Sequence, residues 1–279
     1  MSQLDRLGAI VEGLAPQIRI LAAGPLDGVW PHRPEPYAGL VLTLVLDGSV
    51  RWRTTDAVHT LEAPAVIASA ASVTAELAAL DGQPPRVLCA ELRFEGPASG
   101  QVLAAFERPL LLTLADSGDD LRHLLALIRS EVEQVRCGRG VLLERAGGIL
   151  LIALLRHVIA RPGLGSGVLR ALADPRLAHA IVAMHEAPAK AWSLERLADR
   201  AGMSRTAFAS AFRNQMGCTP GHYLGDLRLA IAERHIARGE GLKRAAGAAG
   251  YASTAALSRA LARRRLRLTA PPSGAPAPH

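Results

Sequence analysis

Two short arrays of side chains, about 48 residues apart, carry the chemistry that this chain can be expected to perform. The first is Ser204, Arg205, Thr206, Ala209, Ser210 and Arg213; the second is Ser253, Thr254, Ala255, Ser258, Arg259 and Arg263. Within each array the residues after the leading serine recur at intervals that fall on one face of an α-helix. Guanidinium groups on such a face can pair with phosphates or with the O6 and N7 edge of guanine, and a threonine can meet a thymine methyl. Neither array is a catalytic set: no nucleophile with a base beside it, phosphate-cradling glycine loop or dinucleotide fingerprint occurs in the chain.

The elements that must hold these faces are legible around them. Upstream of the first array, Leu194, Leu197 and Ala198 form the inner side of a short helix that Ser193 can cap, with Arg196 in place of the glutamate of a full capping box. Gly202 then supplies a turn, Ser204 caps the next helix, and Phe208 and Phe212 anchor that helix to a core. The second copy repeats this from Leu242, with Gly250, Ser253, Leu257 and Leu261 in the corresponding roles. A helix over roughly 220–238 joins the two. This is a tandem helix-turn-helix, and double-stranded DNA is the first candidate partner.

Charge is distributed accordingly. The net charge of +7 resolves into +10 for residues 190–279 and −3 for residues 1–189. A basic block beside a nearly neutral one is the pattern of a nucleic-acid-binding domain attached to a second module. The 279 residues are nearly half apolar, enough for two cores. No apolar stretch is long enough to span a bilayer, and no secretory signal opens the chain, so no membrane association and a cytoplasmic location are expected. Cys89, Cys137 and Cys218 are scattered, without metal spacing.

Before residue 100 the text is one of strands and turns. Runs at 18–21, 40–46, 49–53, 58–61, 65–68, 73–80 and 86–94 predict a β-sandwich or barrel, with a hairpin turn at Asp47-Gly48. Helical periodicity begins near Gln101, giving a helix through Leu121, Leu124, Leu125 and Ile128, capped by Asp119 or Asp120, and a more apolar one over 141–159 that packs on the sheet or serves dimerisation. The glycine-rich run 161–167 marks a linker, and Asp174-Pro175 opens a new helix. The expected organisation is a β-barrel domain with flanking helices (1–160), a linker (161–169), an all-α domain (170–269) and a disordered tail (270–279).

The C-terminal pattern resembles the AraC-type transcriptional regulators. The residues that carry the resemblance are Leu197-Ala198, Gly202-Met203-Ser204, Phe208, Phe212, Gly217-Cys218-Thr219-Pro220, Tyr223-Leu224, Arg228-Leu229-Ala230, Gly250-Tyr251-Ala252-Ser253 and Ser258-Arg259. The resemblance implies two recognition helices entering successive major-groove segments about one helical turn apart. It also implies an N-terminal module of the cupin-like β-barrel type that senses a ligand or dimerises. A small-molecule effector, a second copy of the chain and RNA polymerase are then candidate partners besides DNA. The effector's identity stays open.

The chain departs from the family pattern in several places. Ala245 stands where a larger aliphatic residue usually packs, Leu257 and Leu261 replace a phenylalanine pair, and Arg265-Leu266 replaces the Phe-Gly that ends the second recognition helix. The second unit is therefore expected to be less stable or differently ended, with Arg259, Arg263 and Arg264 holding phosphates more than reading bases. In the N-terminal half, His32 (expected in a loop), His59, His123 and His157 show no His-x-His spacing, and Pro64-Ala65 stands where the barrel usually has a Gly-Asp turn. No metal or other cofactor is expected, and no enzymatic activity. The alternatives are a cupin metalloenzyme with a structural helical tail, and a degenerate regulator that acts through protein contacts.

Overall fold

In the computed structural model, residues 5, 7–80, 83–113, 119–160 and 167–269 are described. The N-terminal half opens with helix α1 (Gly8–Leu14), followed by strands β1 (Pro16–Pro25), β2 (Val29–His32), β3 (Gly39–Asp47), β4 (Ser49–Thr54), β5 (Val58–Glu62), β6 (Ala65–Ala70), β7 (Ala75–Ala79) and β8 (Arg86–Phe94). After helix α2 (Ser99–Leu103) and a single 3-10 turn, β9 (Leu110–Thr113) returns to the sheet, and α3 (Asp119–Glu133) and α4 (Arg139–Ala160) follow. All pairings are antiparallel, in a five-stranded sheet of order β1-β8-β3-β6-β9 and a four-stranded sheet of order β2-β7-β4-β5.

The five-stranded sheet separates two cores, and residue alternation decides which side chain enters which. Leu88, Ala90, Leu92 and Phe94 of β8, with Leu40, Leu42, Leu44 and Leu46 of β3, face the helices. Val87, Cys89, Val45, Ala65 and Ile67 point the other way, where they meet Val50, Trp52, Leu61 and Leu77 of the second sheet and fill the space between the sheets. Burial pushes the Cys89 thiol up to about 12. At one edge of this interior, Glu91 is almost fully buried and is held by Arg19 (Nε to Oε1 2.9 Å), Arg93 (Nε to Oε1 2.6 Å) and Tyr37 (Oη to Oε2 3.1 Å). Burial by itself would raise the Glu91 carboxyl; the three donors outweigh it and hold it below the usual carboxylate range.

Three expectations need correction. Asp47-Gly48 does not close a hairpin: β3 pairs with β6 and β8, whereas β4 pairs with β5 and β7, so the turn carries the chain from one sheet to the other. The reason is burial. β3 is covered on both faces from Gly39 to Leu46 and needs a neighbour on each edge, which leaves no edge for β4. His32 lies in strand β2, half-buried, with Nε2 3.3 Å from the Ala71 carbonyl oxygen, and not in a loop. The helical region beginning near residue 101 is interrupted by β9, which pairs with β6. The expected cap at Asp119 or Asp120 rests on side chains that lie outside the described residues. The apolar helix α4 packs against β1 and α3.

The C-terminal half is helical: α5 (Val168–Ala173), α6 (Pro175–Glu186), α7 (Leu194–Arg200), α8 (Arg205–Met216), α9 (Pro220–Ala237), α10 (Leu242–Ala248) and α11 (Thr254–Thr269). Residues 161–166, most of the expected linker, and the tail 270–279 lie outside the described residues. Asp174 accepts a hydrogen bond from the Arg176 amide, with Pro175 in the first turn of α6, so that helix begins where its sequence signal stood. The two halves share one core. The helix-facing cluster runs from β3 and β8 through α4, α5 and α6 to Phe208, Phe212, Tyr223 and Leu227. Residues at the far end of α9 leave it and join α10 and α11 in a separate, smaller cluster.

Candidate nucleic-acid interface

The first helix-turn-helix is α7 and α8. Ser193 Oγ accepts from the Arg196 amide at 3.2 Å, and Ser204 Oγ accepts from the Ala207 amide at 3.3 Å. Each serine thereby satisfies one of the amides that a helix start leaves unpaired. Gly202 in the turn has φ +62°, a region in which a side chain would be strained. Phe208 and Phe212 are fully buried, their rings 5.6 Å apart, and Phe212 meets the Tyr223 ring edge-on at 5.8 Å. These aromatics fix the rotation of α8 about its own axis, which determines what it presents outward. That outward stripe holds Arg205, Thr206, Ser210 and Arg213, all exposed, with Ala209 half-buried at its margin. Helix α8 ends at Gly217, in the left-handed region, whose amide bonds to the Arg213 carbonyl.

The second unit, α10 and α11, presents a stripe at the same offsets from its capping serine over the first two turns, with its last arginine one residue later than in the first. Thr254, Ala255, Ser258, Arg259 and Arg263 are exposed, and Ser253 Oγ caps the helix through the Ala256 amide at 3.1 Å. Its turn is one residue longer than the first: Gly250, Tyr251, Ala252 and Ser253 against Gly202, Met203 and Ser204. Behind the stripe the two units differ. The core of the second consists of Leu229, Leu257 and the alanines 232, 245, 246, 249 and 260. Leu261, expected to stand for the second phenylalanine, is only half-buried, and Gly241 at the start of α10 offers no side-chain cap. Without a stop like Gly217, α11 continues to Thr269 and is 16 residues long against 12 for α8.

Arg205, Arg213, Arg259 and Arg263 make no ion pair among the described residues. Arg264, expected beside Arg259 and Arg263 as a phosphate ligand, is instead tied to Glu233 of α9, Nη1 to Oε2 3.1 Å. Sequence reasoning named Arg228 only among the residues of the resemblance and gave it no role. Arg228 of α9 donates through Nε to the Pro188 carbonyl and through Nη2 to the Lys190 carbonyl, both at 2.8 Å. No local signal could reveal contacts that span about forty residues.

Two further features lie where the two halves meet. His185 of α6 lies 2.6 Å from the Tyr223 hydroxyl of α9 and close to Gly13 of α1; burial lowers its pKa to about 4. A cleft of about 890 Å³ opens between the segment from Phe94 to Gln101 and α9, and Arg234, Arg238 and Arg264 are among its lining residues. Among the described residues no group of three or more His, Cys, Asp or Glu is placed to hold a metal ion, and no helix is long and apolar enough to cross a membrane.

Comparison with known proteins matches both halves. Residues 5–160 fit the family model described as "Cupin", and residues 197–268 fit the one described as "Helix-turn-helix domain". An uncharacterized HTH-type transcriptional regulator of Haemophilus influenzae is 33% identical over 129 residues, covering 46% of this chain and 43% of that protein. A Streptomyces lividans protein described as an AraC-like transcription regulator is 33% identical over 159 residues, 56% of this chain and 52% of that protein. The matches thus span about half the length of these relatives. The fatty-acid-bound structure of ToxT from Vibrio cholerae shows a distant overall likeness, with 12% identity over 89% of this chain and 91% of that one and a TM-score of 0.35. With a cupin match over more than half its length, a helix-turn-helix match behind it and relatives of this kind, the chain belongs to the AraC-type transcriptional regulators that carry an N-terminal cupin domain.

Proposed function

We propose that this chain is a cytoplasmic, sequence-specific DNA-binding transcriptional regulator without enzymatic activity. Helices α8 and α11 insert their exposed stripes into successive major-groove segments, and the N-terminal barrel domain (1–160) senses a small molecule or forms a homodimer. One observation carries the reading: two capped helices with exposed stripes at matching offsets over their first two turns, each supplying two arginines that make no ion pair among the described residues. Such arginines keep their N–H donors available for phosphates and guanine edges. The shared core supports coupling between sensing and binding, since a ligand that prefers one arrangement of the halves shifts their equilibrium only through that preference. The cleft along α9 is a second place where a ligand touching both halves would act. RNA polymerase is the partner through which DNA-bound protein would change transcription.

The test is binding of the full chain to duplexes selected from a random library, followed by fluorescence anisotropy. Arg205→Ala and Arg213→Ala are expected to weaken the selected site by about five-fold to about 150-fold each, with an unchanged circular dichroism spectrum, as a base-edge or phosphate contact of roughly 1–3 kcal/mol requires. Unaltered affinity in both variants overturns the assignment of α8 as a recognition helix.

A further inference from the structure

The two helix-turn-helix units are gripped unequally by the helix that joins them. The first half of α9 is locked into the shared core by Tyr223, Leu224 and Leu227. The second unit holds the other half of α9 through Leu229, Ala232, Leu257 and a layer of alanines, with Ile231, Tyr251 and Leu261 half-buried at its margin. Small side chains around one helix resist rotation of the unit about that helix only weakly, because few interlocking contacts oppose it. A second point of contact away from the helix axis would remove that freedom.

The structure has such a contact. The segment from Ala187 to Trp192, between α6 and α7, is stiffened by its own bonds: the Lys190 amide donates to the Ala187 carbonyl, and Trp192 Nε1 donates to the same carbonyl at 2.9 Å. Arg228 grips this segment from α9 through two carbonyls. From the opposite unit Gly250 lies against Ala189 so closely that a Cβ built on it would sit 2.5 Å from the Ala189 Cα. Gly250 has φ +73°, and the next residue, Tyr251, is half-buried within the field of Arg228. A turn of the second unit is thus seated on a loop of the first, and the side chain that fixes the loop comes from the connecting helix.

We propose that the Arg228–Ala189–Gly250 junction is a brace that sets the rotational register of the second recognition helix relative to the first, and so determines the half-site spacing the protein accepts. This rests on the DNA-binding reading above. Each inserted base pair turns one half-site relative to the other by about 35° and moves it about 3.4 Å. A braced pair of units penalises such a shift and a loosely joined pair absorbs it.

The experiment uses the full chain and a duplex selected by it from a random library, then the same duplex with one or two base pairs inserted between its half-sites. Arg228→Met removes both hydrogen bonds and keeps an apolar stem. The unaltered protein is expected to lose about ten-fold or more in affinity on each insertion, and Arg228→Met less than about three-fold, with a normal melting profile. Arg228→Lys, which can restore one of the two bonds, is expected to fall between them. Equal spacing penalties in the unaltered protein and Arg228→Met overturn the brace while leaving DNA binding intact. Failure of the unaltered chain to select any duplex overturns the underlying reading instead. Should Arg228→Met misfold, Ala189→Val, which enlarges the loop at the Gly250 contact, reads the same penalty; an unchanged spacing preference there also counts against the brace.

Discussion

Truncating one leucine should release the second helix-turn-helix and leave the rest of the molecule in place. Leu257 is fully buried and, among the described residues, is with Leu229 one of two buried side chains larger than alanine in the core formed by α10, α11 and the end of α9, against which Ile231, Tyr251 and Leu261 pack half-buried. Removing a buried leucine side chain costs about 2–5 kcal/mol, the upper end applying where neighbours cannot collapse into the space. The alanines around Leu257 have no side-chain freedom with which to fill the gap. Because this cluster is separate from the shared core, with Ile231 packing against both, the loss should appear as local opening. Hydrogen exchange followed by mass spectrometry on the full chain reads it directly. In Leu257→Ala, peptides over 242–264 are expected to exchange roughly thirty-fold to a few thousand-fold faster. Peptides from α8 and the strands should be unchanged. Phe208→Ala is the contrast: its ring lies in the core common to both halves, so α5, α6 and α8 should loosen together. Uniform acceleration across the chain in Leu257→Ala, or none within 242–264, would refute the division into two cores.

Two predictions concern titrating groups. His185 titrates well below its ordinary value because it is buried, so the folded state takes up a proton less readily than the unfolded one. Its contribution is complete above about pH 6.5 and is lost as the pH falls towards 4, by at most about 3 kcal/mol; His185→Phe should flatten the pH dependence of the melting temperature across that window, and an unchanged slope contradicts it. Glu91 has the opposite arrangement, a lowered carboxyl whose stabilisation is present above its unfolded value near 4.5 and disappears as the pH drops below it. Glu91→Gln should destabilise the barrel domain by roughly 1–3 kcal/mol at neutral pH, since the Arg19, Arg93 and Tyr37 donors lose a charged acceptor, and the cost should shrink in acid; a neutral-pH melting temperature equal to that of the parent chain contradicts it.

Legibility followed the range of the interactions. Ser193, Ser204, Ser253, and Asp174 with Pro175 were all readable as caps, because a cap bonds to an amide two or three residues ahead. The stripes of α8 and α11 were readable for the same reason, as periodicity within one helix. Asp47-Gly48 misled, since a local turn signal does not decide which strand edges are still open. Strands β2 and β9 have four residues each, too few for a pattern. The pairing of Arg264 with Glu233 and the grip of Arg228 on Pro188 and Lys190 join residues 31 to 40 positions apart, and no sequence window contains them.

The asymmetry between the units bears on how they would share the work. The first has aromatic anchors and a glycine stop, so its stripe is held rigidly. The second has an alanine core, a longer helix and a glycine in place of a cap, which places it nearer to local disorder.

The most direct test is a hydroxyl-radical footprint of the full chain on a duplex it has selected. Engagement of both α8 and α11 predicts two protected segments on one face of the duplex, centred about 10 base pairs apart, with Leu257→Ala retaining only one of them. A single protected segment in the unaltered protein, or two on opposite faces, would contradict paired insertion of the two helices.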